Sequence, residues 1–181
     1  MTERENLCAA VKKIAWGYVL LHLNVNLGSL NILPDWLGYG LMLAAIPAVG
    51  ERVPSAKLLK PLGVLLAVWE GVCWIYAARG MPLSVPALEL VATVVSLYFH
   101  FQLLTDLAEL ARLFECSKEG RIRNLRTVRT LLITMLALPF PWEEYTWVVL
   151  AIVAVHVVVA IWICSVLFSL CCSLETEEGE A

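Results

Sequence analysis

Long apolar runs separated by short polar stretches dominate the pattern of this chain. An α-helix that crosses a bilayer needs roughly 20 predominantly apolar residues. Read this way, the pattern predicts six spans, at about 14–33, 36–50, 60–78, 85–105, 127–139 and 145–170. The predicted fold class is therefore all-α, a polytopic transmembrane helical bundle whose six helices form three hairpins.

The composition indicates that these spans belong to one membrane domain. Of the 181 residues, 60% are hydrophobic and only 16% are charged, whereas a soluble domain usually carries about a quarter of charged residues. We therefore assign residues 1–174 to a single transmembrane domain. The acidic segment 175–181 is too polar to pack, and we expect it to be a disordered cytoplasmic tail.

The distribution of lysine and arginine predicts the orientation of the bundle. Loops on the cytoplasmic side of membrane proteins are enriched in these residues. If the N-terminus is inside, twelve of the 13 basic residues lie on the inner side and only Arg79 lies outside. We therefore expect both termini to be cytoplasmic. Trp36, Tyr39, Trp142 and Tyr145 fall at the outer turns, where an aromatic belt is expected.

Polar residues inside predicted spans are the main candidates for a functional site, because they are costly in hydrocarbon and usually face the bundle interior. In helix 4, Glu89, Thr93, Ser96 and His100 form one stripe along a helical face. Two interpretations remain open for this stripe. It lines an aqueous path or proton relay, or it is a seam of interhelical hydrogen bonds.

Helices 1 and 3 carry the other intramembrane polar groups. The span 14–33 contains His22, Asn24, Asn26 and Asn31, which predicts either a central packing helix or a helix broken near Gly28 that contacts a ligand. Glu70 lies near the middle of helix 3 and is either a titrating carboxylate or a neutral structural acid. These residues, together with the stripe of helix 4, predict a site between helices 1, 3 and 4.

The sequence predicts no metal or cofactor site. His22, His100 and His156 are the three histidines, but their estimated depths in the membrane differ too much for the ligands of one metal ion. We interpret His156 as a structural donor. The six cysteines show no zinc-ligand spacing, and we expect them to be free thiols.

Two further patterns predict surfaces. Arg121, Arg123, Arg126 and Arg129 flank helix 5 and are expected to contact anionic lipid headgroups, or alternatively a cytoplasmic partner. In helix 2, small residues recur at four-residue spacing, a pattern that allows close helix packing. They are Gly40, Ala44 and Ala48.

The first hairpin carries a resemblance. Its segments Asn24-Val25-Asn26-Leu27-Gly28 and Asn31-Ile32-Leu33-Pro34-Asp35-Trp36-Leu37-Gly38-Tyr39 resemble a family of uncharacterised bacterial multi-pass membrane proteins. The resemblance implies a bacterial inner (cytoplasmic) membrane and no particular activity.

The leading functional hypothesis is a membrane protein that binds or translocates a small solute or ion. The alternative is a non-transporting subunit or scaffold, with another membrane protein or a second copy as partner. The chain contains no catalytic motif of the GxSxG, HExxH, P-loop or GxGxxG type, so we do not expect an enzyme. It also lacks the basic patch with interleaved aromatics that indicates nucleic-acid binding.

Overall fold

Six α-helices make up most of what the computed structural model describes, which is residues 3–22, 26–27, 30–31, 34–81, 83–138, 140 and 142–176. The prediction of an all-α helical bundle is confirmed. The helices are α1 (Glu3–His22), α2 (Asp35–Arg52), α3 (Leu59–Ala78), α4 (Pro86–Leu113), α5 (Glu119–Ala137) and α6 (Thr146–Thr176). An antiparallel pair, β1 (Asn26–Leu27) and β2 (Leu30–Asn31), follows α1, and 3₁₀ turns at Pro54–Leu58 and Trp142–Tyr145 precede α3 and α6.

The expected first span at 14–33 is wrong as a continuous helix. Helix α1 begins eleven residues earlier, at Glu3, and ends at His22. The chain then forms the β pair, in which Asn26 lies opposite Asn31, so these two asparagines are not part of a helix. Asparagine and serine side chains compete for backbone hydrogen bonds, and glycine loses much conformational entropy in a helix. The segment 24–31 contains three asparagines, one serine and one glycine.

Three other helices extend beyond their apolar runs, because backbone hydrogen bonding continues after the hydropathy falls. Helix α4 runs to Leu113, α5 begins at Glu119, and α6 reaches Thr176. Glu175 and Thr176 are therefore helical, and the predicted disordered tail starts too early. The remainder of that tail lies outside the described residues.

Within the described part of the chain, three segments are long and apolar enough to cross a membrane. They are Pro54–Ala78, Pro86–Leu113 and Thr146–Leu174. Helix α5 carries several arginines, and α1 begins with charged residues. The apolar character of a membrane protein is thus present in half of the helices, whereas six crossings stay a prediction.

The helices form a closed ring in chain order, since each packs on the next and α6 packs on α1. Neighbours run antiparallel. The start of α1 and the end of α6 therefore lie at the same end of the bundle, which we call the terminal end and where Glu3 pairs with Arg52. The hydrogen bond from Arg52 holds the pKa of Glu3 below its ordinary value. At the same end, Asp106 accepts hydrogen bonds from Ser55 (2.6 Å) and Gln102 (2.8 Å).

Helices α1 and α2 make the closest crossing at two glycines. A Cβ on Gly17 would lie 2.8 Å from the carbonyl oxygen of Gly38, and a Cβ on Gly38 would lie 2.9 Å from the carbonyl oxygen of Gly17. The predicted packing face of helix 2 is wrong for Gly40 and Ala44, which are exposed, with nothing within 4 Å of a Cβ on Gly40. Ala48, the third residue of the pattern, is half-buried against the core. Four-residue spacing does not show which side of an apolar helix faces its neighbour.

A disulfide joins α1 to α6 near the terminal end. Cys8 and Cys171 form it, with Cα atoms 4.9 Å apart, whereas Cys73, Cys116, Cys164 and Cys172 are not disulfide-bonded. The expectation of six free thiols is therefore wrong for this pair. It rested on the placement of all six cysteines away from the outer face, against a reducing cytoplasm. Helix α1 starts earlier and α6 ends later than their apolar runs, and this brings Cys8 and Cys171 together.

Candidate functional site

A polar cavity of about 170 Å³ lies at the centre of the ring, and every helix contributes to it. The site predicted between helices 1, 3 and 4 is thus wider than expected. The lining residues are Leu21 and His22 of α1, Asp35 and Tyr39 of α2, Glu70 of α3, Ser96 and His100 of α4, Arg129 of α5 and His156 of α6. Polar groups on six separate helices converge on this one space.

His100 is the most completely hydrogen-bonded group of the cavity and is 1% exposed. Its Nδ1 lies 3.1 Å from the hydroxyl of Tyr18, and its Nε2 lies 3.4 Å from the hydroxyl of Tyr39. The hydroxyl of Tyr39 is also 3.2 Å from Oγ of Ser96. A neutral imidazole donates from one nitrogen and accepts at the other, so His100 links the two tyrosines across three helices. For His100 and Ser96 this geometry matches the predicted seam of interhelical hydrogen bonds.

His22 and His156 are neighbours, with ring centroids 5.4 Å apart. The estimate that their depths differ widely is therefore wrong. The estimate measured the depth of each histidine from the end of its apolar run. The alignment of α1 with α6 is instead fixed outside these runs, where Cys8 faces Cys171. His22 donates from Nδ1 to the carbonyl oxygen of Tyr18 at 2.7 Å. Within the described residues no group of three or more His, Cys, Asp and Glu side chains is placed to hold a metal ion.

Arg129 faces the cavity and not the lipid headgroups, which corrects the expectation from the sequence. Its side chain is 6% exposed, and its Nε is buried without a hydrogen-bond partner. The physical reason is helical phase: Ile122 and Leu125, at seven and four residues before it, are buried on the same face of α5. An arginine in phase with this apolar stripe must point into the bundle.

The other three arginines of this group lie nearer the surface. Arg126 packs its guanidinium 4.3 Å from the ring centre of Phe101 and donates to Oγ1 of Thr105 at 2.8 Å, so it contacts α4. Arg123 pairs with Glu119 at 2.9 Å. Arg121 and Arg123 are exposed, and for these two a contact with headgroups stays a prediction.

A second cavity of about 340 Å³ adjoins the first, because Glu70 and Ser96 line both. Its other lining residues are Trp69, Glu89, Ala92, Thr93 and Ile133. Within α4, Glu89 accepts a hydrogen bond from the amide of Val85 (3.1 Å), and Thr93 donates to the carbonyl oxygen of Glu89 (2.8 Å). The polar stripe of helix 4 therefore lines two adjoining cavities. Glu89 and Thr93, the two residues of the stripe nearest the start of α4, form these hydrogen bonds with their own helix and with the residue before it.

The remaining predicted site residues are the asparagines after α1. Asn26 and Asn31 belong to the β pair, and the structure describes their backbone. Asn24 lies outside the described residues. Their predicted role as neutral ligands therefore stays a prediction.

The central cavity has an apolar floor on the side of the terminal end. Met42, Phe99 and Leu103 are fully buried there. The space between α4, α5 and α6 at this level has no volume that a water molecule could enter. Toward the opposite end, α3, α4 and α6 have exposed apolar surfaces, for example at Val68 and Val94. The cavity is thus closed toward the terminal end.

Five polar residues that line the cavity or bond within it were not predicted as part of the site. One is His156, which was interpreted as a structural donor, whereas its Nδ1 is buried without a hydrogen-bond partner. Tyr39 was assigned to an aromatic belt but is 4% exposed. Tyr18 precedes His22 by one turn on the same helical face, and this spacing could have predicted its place at the site.

The position of Arg129 on the same face as Ile122 and Leu125 could likewise have predicted that it points inward. Asp35 sits at a predicted turn, and its position at the cavity follows from packing that the sequence does not display.

Neither a protein-family model, nor a curated protein, nor a solved structure matches this chain. The function therefore has to be argued from the geometry of the cavity.

Proposed function

We propose that this chain is a multi-pass protein of a bacterial inner membrane that binds a small solute or ion in its central cavity. The observation that carries the proposal is the convergence of polar side chains from all six helices on one space above an apolar floor. Polar groups are expensive inside a membrane and are kept there mainly for function. A scaffold needs polar seams between pairs of helices, but not a shared cavity.

Two features support the membrane setting. The exposed apolar surface includes Trp147, Ile161 and Val94, on α6 and α4, and soluble proteins rarely expose so much. Of the twelve basic residues expected inside, Arg129 faces the cavity, which leaves eleven near the terminal end and Arg79 near the other. This asymmetry favours a cytoplasmic terminal end. The cavity would then be reached from the outer side.

A second candidate is a non-transporting membrane subunit whose polar residues are interhelical contacts. The network of His100 with Tyr18 and Tyr39 favours it, because these side chains satisfy one another without a ligand. The two candidates make different predictions for Glu70, whose side chain lines both cavities. A solute-binding site needs this carboxylate for binding, whereas a subunit uses it only as a structural contact.

A thermal-shift screen of the purified, detergent-solubilised protein tests the proposal, since a ligand that binds the folded state raises its stability by mass action. The panel contains metal ions, amino acids, vitamins and organic anions. We expect at least one compound to raise the melting temperature of the wild type, with a smaller rise for Glu70→Gln. Glu144→Gln, at an exposed position away from both cavities, should respond like the wild type. If no compound shifts the wild type, or if all shifts are equal in Glu70→Gln, the subunit interpretation is favoured.

A further inference from the structure

Unpaired polar atoms concentrate at the central cavity. Among the described residues, five buried side-chain atoms have no hydrogen-bond partner, and three of them belong to residues that line this cavity. They are Nε of Arg129, Oδ1 of Asp35 and Nδ1 of His156. Buried polar atoms in folded proteins are nearly always paired with protein, water or ligand. This cavity therefore holds the largest unmet demand for hydrogen bonds that we find in the bundle.

The charges around the cavity decide what kind of ligand meets that demand. Arg129 offers a guanidinium, which pairs with carboxylates or other oxyanions through a fork of N–H groups. Asp35 and Glu70 offer carboxylates, which accept from cationic donors. A simple anion would face two carboxylates, and a simple cation would face the guanidinium. A molecule with one group of each charge pairs with both sides of the cavity.

We propose that the solute bound in the central cavity is a small zwitterion of the α-amino-acid type. Its carboxylate is held by Arg129, and its ammonium is held by Asp35, with Glu70 and His156 nearby as further acceptors. This inference rests on the proposed function, because it names the ligand class of the same site. The cavity volume of about 170 Å³ corresponds to roughly five or six water molecules at about 30 Å³ each, which limits the ligand to a small one.

The first test uses the wild-type protein alone and compares matched probes. Melting temperature and tryptophan fluorescence are measured with the 20 standard amino acids. Each amino acid that binds is then compared with its amide, which lacks the carboxylate, and with its deaminated acid, which lacks the ammonium. We expect both analogues to bind at least about tenfold more weakly, because each loses a charge-assisted interaction. No substitution is involved, so the result does not depend on a variant that folds.

The second test assigns each half of the ligand to its side chain. Arg129→Lys keeps the charge but loses the fork, and should weaken binding of the amino acid at least about tenfold. Asp35→Asn should weaken binding of the amino acid strongly and binding of the deaminated acid little. Arg121→Lys, on an exposed position of the same helix, and Glu144→Gln serve as controls that should bind like the wild type.

The outcomes separate this inference from the proposed function. If neutral or purely cationic solutes bind, with equal affinity in Arg129→Lys, the proposed function stands and the zwitterion inference is overturned. If amino acids and their deaminated acids bind equally well, the role of Asp35 is overturned and the site is one for simple anions. If no solute of any charge binds the wild type, both proposals fall.

Discussion

Arg129 illustrates how one charged residue can report on function. A buried guanidinium with an unpaired N–H, such as Nε of Arg129, destabilises a folded protein, because it loses hydration that the protein does not fully replace. The bundle keeps this residue in the same phase as Ile122 and Leu125, although an apolar side chain would pack there. We interpret this cost as the consequence of a ligand that completes the site.

Replacing Arg129 with methionine should therefore leave the ligand-free protein as stable as the wild type, or make it more stable, while binding is lost. Apolar replacement of buried ionic groups is often neutral or stabilising by roughly 1–4 kcal/mol. Ile122→Ala, on the same face, is the comparison and should destabilise by about 2–5 kcal/mol. Thermal denaturation in detergent measures both. A large loss of stability in Arg129→Met alone would indicate a structural arginine.

Much of the candidate site could be read from the sequence, because an intramembrane polar residue usually faces the interior. His22, Glu70, Ser96 and His100 were predicted in this way, and all four line the central cavity. Arg129 was missed, because its place beside three other arginines suggested a headgroup anchor. The helical face on which a residue lies was a better guide to its burial than the residues next to it in the sequence.

At the scale of elements, the crossing of α1 and α2 shows what helix packing demands. The two backbones approach so closely at Gly17 and Gly38 that neither position has room for a Cβ. Spacing patterns alone had pointed to Gly40 instead. The number and approximate positions of the helices follow from hydropathy, but their facing sides depend on partners that hydropathy does not identify.

Gly17→Ala should destabilise the bundle by roughly 1–3 kcal/mol, because the added methyl group meets backbone oxygen that cannot move without separating the helices. Gly40→Ala is the matched control, since its Cβ would meet nothing within 4 Å. It should be neutral or stabilise by up to about 1 kcal/mol through helix propensity. Equal effects of the two substitutions, measured by thermal denaturation, would contradict the crossing described here.

The disulfide between Cys8 and Cys171 joins the first helix to the last. Both residues are buried, so the packing of α1 against α6 shields the sulfur atoms from reductants. The bond closes the ring covalently at the terminal end. The ring can then open there only after reduction.

Cys171→Ala should lower the melting temperature, by an amount that reflects roughly 2–4 kcal/mol for a disulfide of this kind. Cys172→Ala, at the adjacent exposed cysteine that forms no disulfide, should change it little. After denaturation with a thiol-blocking reagent, a non-reducing gel should show the cross-linked species in the wild type and in Cys172→Ala but not in Cys171→Ala. A cross-linked band in all three would assign the bond to other cysteines.

At the scale of the whole molecule, the closed ring places every helix at the central cavity. This arrangement could not be predicted from the sequence, because pairwise hairpins are compatible with many ways of grouping six helices. The sequence predicted a site between helices 1, 3 and 4 alone. Instead, each helix contributes at least one polar side chain to the cavity and exposes apolar side chains elsewhere.

Reporter fusions test the proposed orientation. Green fluorescent protein fused after Ala181 should fluoresce, whereas alkaline phosphatase at that position should be inactive, because it needs disulfides that form outside the cytoplasm. Phosphatase inserted after Met81, between α3 and α4, should be active. The opposite pattern would place the terminal end outside and would reverse the side from which the cavity is reached.

The apolar floor also determines where the membrane voltage falls. With the terminal end cytoplasmic, as proposed, and water reaching the cavity from the other side, the potential would drop mainly across the packed half of the bundle at the terminal end, at a cost of about 2.3 kcal/mol per unit charge per 100 mV. A solute that reaches the cavity from outside crosses little of this field. Its affinity in proteoliposomes should therefore be nearly independent of an imposed potential. Any movement of Arg129 across the floor, in contrast, would be electrogenic.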